Sequence, residues 1–530
     1  MGISYPFPAR AVVASGAMAF FLMPAAFAQE AQPAPAPAPA AAPAAPGGQR
    51  PEARSQAGRP AQPAAPQASE LHRLPPDSTT KQTLVLPDRT LAFTATAGSI
   101  RLYDGKGEAE ADIAYIAYQL DGAEARSRPV TFAFNGGPGS ASAWLQLGNA
   151  GPWRLPMGNE AAFPSAPPAL IANAETWLDF TDLVFIDPAG TGYSRFVATG
   201  DDVRKRFFSV NGDISATAVI IRRWLEQANR MTSPKYILGE SYGGIRGPRT
   251  VWDLQKDQGV GVNGLILVSP VLDFREFQGS SLLQYAARLP TMAAVSREAK
   301  GPVSRADMQD VESYAATDYL LDLMKGKGDP ATLDRLSDKV ASLIGLDRGF
   351  VRRLAAQVPA DAFRRELDQS QGKVTSAYDA TVTGYDPFPY AYFSRFEDPL
   401  TDALNAPVTS AMIDLYEHRL NWKPDGHYEL LSNTVNRAWD WGRGLNPPES
   451  LTRLRQALAL DPKLKVIVAH GLFDLVTPYF GSKMALDQLP VYGAADRVRL
   501  VVYPGGHMFY TRDASRAALR GEAKAMMGGN

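Results

Sequence analysis

Segments 83–86, 91–95 and 113–118 are short apolar-rich runs, the last two partly alternating, and turn residues separate them. The pattern predicts successive short strands of an antiparallel meander. Segments 129–134 and 182–186 are denser apolar runs, as central strands covered on both faces require. Between positions 211 and 230, Ile214, Ala218, Ile221, Leu225 and Ala228 repeat at helical spacing, with Arg222, Arg223 and Glu226 on the other side. A strand at 235–238, a glycine turn and a helix at 245–254 follow. Further strands are expected at 264–268, 465–469 and 499–503. The alternation predicts one doubly wound α/β domain. Segment 276–445 breaks it: clear strands are lacking, and helical patterns such as 331–344 and 409–419 appear. The length far exceeds what two or three crossover units need. A mostly helical cap insertion between core segments 71–275 and 446–530 is the reading, with an independent domain as the alternative.

The start of the chain has a different character. Arg10 precedes an uncharged, mostly apolar stretch from Ala11 to Met23, and Pro24 then leads into Ala26-Phe27-Ala28. Residues 1–28 read as a cleaved signal peptide. The alternative, a retained anchor, would need a longer apolar run of roughly 20 residues. An exported protein, periplasmic or secreted, with no membrane span in the mature chain is the expectation. Residues 29–70 are rich in Pro and Ala with almost no large apolar side chains, and so read as a disordered linker.

Composition narrows the chemistry. The 54 basic and 55 acidic side chains leave a net charge of −1, which gives no electrostatic footprint for a nucleic-acid partner. There is no cysteine, so disulfides, thiolate nucleophiles and cysteine-bound metals are excluded. The five histidines lack the paired spacing of a zinc motif, and no dinucleotide fingerprint is present. No metal and no cofactor are expected.

Gly239-Glu240-Ser241-Tyr242-Gly243 matches G-x-S-x-G between a predicted strand and a predicted helix. Such a turn lifts a serine hydroxyl clear of the sheet and points the next amide, Tyr242 N–H, at a developing oxyanion. A glycine turn with an incidental serine is the bland alternative. A serine needs a base. His507 follows strand 499–503 in Pro504-Gly505-Gly506-His507, at a strand end where such sheets place catalytic groups. His470 is the rival; its other role would be to bond loop backbone. Asp474, four residues past His470, can orient the imidazole, or else cap the turn before Val476-Thr477-Pro478. The chain order Ser241, Asp474, His507 is that of α/β-hydrolases. A second oxyanion donor is expected from the glycine-rich loop Asn135-Gly136-Gly137-Pro138-Gly139.

These motifs, with Phe185-Ile186-Asp187-Pro188-Ala189-Gly190-Thr191-Gly192-Tyr193-Ser194, Gly471-Leu472-Phe473-Asp474 and Gly505-Gly506-His507, resemble the serine carboxypeptidase family of α/β-hydrolases over roughly residues 80–525. The resemblance implies an α/β-hydrolase fold: a central, mostly parallel sheet with N-terminal antiparallel strands and the large, mainly helical cap. It implies serine-type hydrolysis of C-terminal peptide bonds, with peptide or protein C-termini as substrate. Gly137 and Tyr242 would form the oxyanion hole, and Asn135, Gly136, Glu240 and Asn149 would make up the site for the terminal carboxylate. Glu240 would then be protonated, because two carboxylates in contact cannot both ionise comfortably. The chain departs from the family pattern at Ala133 (usually tryptophan), at Ser140 (usually cysteine) and at Asn149. Asn149 stands where a glutamate would pair with Glu240, and its amide is expected to donate to Glu240 and relax the acid restriction on binding. An esterase or acyltransferase on the same fold, and a non-catalytic peptide-binding protein, are the other readings. Oligomeric state is not encoded in any motif.

Overall fold

The computed structural model describes residues 73–528, except 159–162, 278, 392–397 and 443–446. The expected signal peptide and the linker up to residue 70 lie outside the described residues. Ten strands form one sheet: β1 (Ser78–Val85), β2 (Thr90–Tyr103), β3 (Ala109–Leu120), β4 (Val130–Phe134), β5 (Asp182–Ile186), β6 (Arg195–Phe196), β7 (Lys235–Glu240), β8 (Gly264–Val268), β9 (Lys465–Gly471) and β10 (Val498–Tyr503). Their order is β1-β2-β3-β5-β4-β7-β8-β9-β10, with β6 pairing β3 off this path. β1 to β3 pair antiparallel, β3 meets β5 antiparallel, and β5, β4, β7, β8, β9 and β10 run parallel. This is the expected α/β-hydrolase fold.

The central strands read as continuous apolar runs because both faces are covered. On one face Val130, Phe132, Ile237, Leu265, Leu267, Val466 and Val468 pack with helix α1 (Val210–Gln227) and helix α2 (Gly243–Lys256). On the other face Ala133, Leu238, Ile266, Val268, Ile467 and Ala469 pack with Leu404, Val408 and Met412 of helix Thr401–Asp414 and with Leu519 and Ala523 of helix Asp513–Met526. The strict alternation between the two cores is the period-two geometry of a strand.

β2 is longer than its predicted segment, and the reason is legible in its burial. Leu91, Phe93, Ala95 and Ala97 enter one core; Ile100 and Leu102 enter the opposite one. The change of phase at Gly98-Ser99 ends the simple alternation in sequence, although the pairing with β3 runs on past it.

Chain between β8 and β9 contributes to all three apolar cores, Val271, Leu272, Val435 and Leu454 among them entering the α1/α2 side. Helices Leu283–Glu298 and Pro330–Ile344 build a third apolar cluster that takes in Leu472, Phe473 and Leu475 from the loop after β9. Residues Leu400 to Leu430 instead join the sheet-face core with helix Asp513–Met526. The segment also contains a two-stranded hairpin, Lys373–Thr375 with Thr383–Tyr385, which apolar periodicity did not reveal because each strand has only three residues.

One charged pair is buried where the helical pattern calls for apolar side chains. Arg246 of α2 contacts Asp213 of α1 through Nε (2.8 Å) and Nη2 (3.1 Å) and donates from Nη1 to the Asn135 carbonyl at 2.5 Å. Both side chains are nearly inaccessible. Removing one partner strands a buried charge, so Arg246→Ala is expected to destabilise the fold by about 3–5 kcal/mol. Urea unfolding checks this, and a loss below about 1 kcal/mol would contradict it.

Candidate active site

The sheet order brings five strand ends to one rim. Asn135 follows β4, Ser241 follows β7, Ser269 follows β8, Asp474 follows β9 and His507 follows β10. Ligands and catalytic groups gather at the carboxyl ends of such strands.

Ser241 occupies a left-handed backbone conformation at φ 61° between β7 and α2. Most residues avoid this region, so the turn is a strained one held by its surroundings. Ser241 N–H donates to the Val268 carbonyl at 3.0 Å, and its carbonyl accepts from Gly244 N (2.8 Å) and Val271 N (3.0 Å). The tight glycine of the turn is Gly244, just outside the motif: a Cβ there would lie 2.3 Å from the Val271 carbonyl oxygen, whereas one at Gly243 would meet nothing nearer than 3.7 Å.

The loop after β4 closes against this turn. A Cβ on Gly136 would sit 2.4 Å from the Tyr242 nitrogen and 2.6 Å from the Glu240 carbonyl oxygen, so only glycine allows the approach. Among the described residues, the main-chain N–H groups of Gly136, Gly137 and Tyr242 donate to nothing. Three unspent donors beside one serine can receive anionic oxygen.

The acid and the imidazole are in contact. Asp474 Oδ1 accepts from Val476 N (2.8 Å) and Thr477 N (3.0 Å), and Oδ2 lies 2.7 Å from His507 Nδ1. The Thr477 hydroxyl sits 2.6 Å from the same Oδ2 and 2.9 Å from the Ser269 carbonyl. Burial alone would lower the His507 pKa; the charge and hydrogen bond of Asp474, helped by the charge of Glu240, override it and leave the pKa above its ordinary value. Among the described residues, no hydrogen bond joins Ser241 Oγ to His507. Catalytic contacts of this kind tighten on substrate binding.

His470 does not compete for Asp474. Its Nδ1 lies 3.1 Å from the Thr477 carbonyl and its Nε2 2.8 Å from Ser482 Oγ. Burial drives its pKa down to about 4, so it stays neutral and supports the loop that carries Asp474.

Glu240 is buried, and Tyr510 donates its hydroxyl to Oε2 at 2.7 Å. Asn135 Oδ1 accepts from Leu145 N at 3.0 Å, which turns the amide nitrogen toward Glu240, its other partner. Burial raises the Glu240 pKa to about 7, against the lowering effect of His507 and of these hydrogen bonds. The expected donation from Asn149 to Glu240 is not formed. Asn149 is fully buried in the turn Gln146–Ala150, and neither amide atom has a hydrogen-bond partner. Asn173 Nδ2 donates to its main-chain carbonyl at 2.8 Å, and the Tyr510 ring packs against neighbouring Gly148. Tyr510 takes the role instead.

Sequence reasoning missed Tyr510, Thr477, Arg246 and Asp213. For the last two a signal exists, a charged residue on the apolar side of each helix. Tyr510 and Thr477 carry none beyond their nearness to His507 and Asp474. Among the described residues, no group of three or more His, Asp or Glu side chains could hold a metal ion. No helix of the described residues is long and apolar enough to cross a membrane.

The sequence model of the serine carboxypeptidase family matches residues 90–315. Serine carboxypeptidase-like 2 of Arabidopsis thaliana is 24% identical over 180 residues, covering 32% of this chain and 39% of that protein. Serine carboxypeptidase-like 8 of the same plant is 25% identical over 215 residues, covering 38% and 46%. The chain thus spans less than half the length of the curated relatives it matches. Among solved structures, Kex1Δp, a prohormone-processing carboxypeptidase from Saccharomyces cerevisiae, superposes with a TM-score of 0.54 over 82% of this chain and 91% of that one, at 15% identity. Residues 90–315 thus match the model of the serine carboxypeptidase family, and the chain has the α/β-hydrolase fold.

Proposed function

We propose that the protein is a serine-type carboxypeptidase that removes C-terminal residues through an acyl-enzyme. The observation that carries this reading is Glu240: a buried carboxyl group beside Ser241, faced by the Tyr510 hydroxyl and the Asn135 amide and held up in pKa by burial. A protonated carboxyl can donate a hydrogen bond to the substrate's terminal carboxylate, and the free N–H of Gly136 and the Asn135 amide add to the grip. Ser241 Oγ attacks the last peptide carbonyl while His507 Nε2 takes its proton. The imidazolium keeps its Nδ1–H on Asp474 Oδ2. The N–H groups of Gly137 and Tyr242 stabilise the oxyanion, and His507 returns the proton to the leaving amine. Water, deprotonated by the same imidazole, then releases the shortened peptide. Export to the periplasm or outside the cell follows from the N-terminal pattern.

A mass-spectrometric time course on a peptide and on its C-terminal amide tests the proposal. Stepwise shortening of the free acid with the amide spared is expected; internal cuts, or equal loss of both, would refute it.

The two buried groups fix the pH dependence. Glu240 must keep its proton to accept the substrate carboxylate, and its raised pKa of about 7 holds it protonated below neutrality. His507 must be neutral to act as base, so activity falls on the acid side as the imidazole charges. A bell centred near neutral pH is expected for kcat/KM on a blocked dipeptide, the observed limbs belonging to the coupled pair. Glu240→Gln, whose amide donates at any pH, is expected to remove the alkaline limb. An alkaline limb left unchanged in that variant would contradict the assignment.

A further inference from the structure

The turn of the short hairpin Lys373–Thr375/Thr383–Tyr385 reaches both loops that carry the acid–base pair. The Ala377 carbonyl accepts from Leu475 N at 3.0 Å, Ala380 N donates to the Phe473 carbonyl at 3.0 Å, and the Tyr378 carbonyl accepts from His507 N. Phe473 and Leu475 flank Asp474. One turn therefore bonds to the residues on either side of the acid and to the main chain of the base. The Tyr378 ring also stands edge-on to the imidazole, 5.3 Å between centroids at 85°.

This turn is itself organised by a distant carboxylate. Asp398 Oδ1 accepts from Ser376 Oγ (2.7 Å), Leu400 N (3.1 Å) and Thr401 N (3.3 Å), and Oδ2 accepts from Ala377 N (2.8 Å) and from Arg364 Nη2 (3.1 Å). Ser376 Oγ in turn receives Tyr378 N at 2.9 Å and Asp379 N at 3.2 Å. Arg364 also donates from Nε to the Thr375 carbonyl at 2.9 Å. The carboxylate thus joins the start of helix Thr401–Asp414 to the turn, and the turn to Asp474 and His507. Asp398 has no contact with the reacting groups.

We infer that Asp398 and Tyr378 are positioning residues, which hold the Asp474 and His507 loops in register and fix the plane of the imidazole. The inference rests on His507 acting as the base. Supporting groups of this kind matter because a shift of about 1 Å in a catalytic group costs on the order of 10²-fold in rate.

The test compares wild type, Asp398→Ala and Tyr378→Leu in the full chain. The readouts are the rate of labelling by a fluorophosphonate as a function of pH, kcat and KM on a blocked dipeptide, and thermal unfolding. Both variants are expected to lose about tenfold or more in kcat and in labelling rate, with KM changed much less. The acid limb should move to lower pH, because a loosened Asp474 contact no longer holds up the imidazole pKa. That ring is also faced by Glu240, by His470 and by Tyr378 itself. A folded Asp398→Ala protein with wild-type rates and an unmoved limb would overturn the inference. So would a loss of activity that merely tracks the folded fraction. If Asp398→Ala does not fold, Tyr378→Leu, which leaves the carboxylate network intact, decides alone. A wild-type protein that is never labelled would instead overturn the function proposed above, an outcome distinct from either.

Discussion

Ser241→Ala is expected to lower kcat by about 10⁶-fold while leaving the fold intact. Ser241 is partly buried at the strained turn and, among the described residues, its hydroxyl has no hydrogen-bond partner, so its loss removes the attacking oxygen and little else. His507→Ala should cost about as much, and the double variant hardly more, because the two act as one unit. Steady-state kinetics on a blocked dipeptide, with unfolding curves alongside, would show this. Additive losses in the double variant would mean that the two side chains work independently.

Asp474→Asn is expected to lower kcat by about 10⁴-fold, and the environment of the carboxylate explains why. Oδ1 accepts two main-chain N–H groups, from Val476 and Thr477. An asparagine would place its carbonyl oxygen there, which leaves its NH₂ facing His507 Nδ1. Nδ1 must then accept rather than donate, the ring proton moves to Nε2, and the imidazole can no longer take a proton from serine. KM should change little. A variant with near-wild-type kcat would show that Asp474 does not orient the base.

Local pattern located the strands, and the G-x-S-x-G turn together with the loops that follow β9 and β10 singled out Ser241, Asp474 and His507. The alternation of strands and helices made an α/β domain readable, and the motif resemblance made it an α/β-hydrolase fold. The environment of the site was harder to read. Tyr510 reaches Glu240 across 270 positions of chain, and Tyr378 meets His507 from a turn flanked by three-residue strands. Neither periodicity nor spacing encodes such meetings. Asn149 shows the limit from the other side: its position in the motif suggested a partner for Glu240, yet local packing leaves its amide unpaired and gives the bond to Tyr510. The expected glycine of the nucleophile turn, Gly243, is likewise less constrained than Gly244, since the crowding comes from Val271, brought in by the neighbouring strand.

The most direct measurement is the mass and location of a covalent adduct after treatment with a fluorophosphonate. One adduct per chain, mapped to Ser241 and absent from the His507→Ala protein on the same timescale, is the predicted result. No adduct, or one that maps elsewhere and forms as fast without His507, would contradict the convergence of these side chains on a working nucleophile.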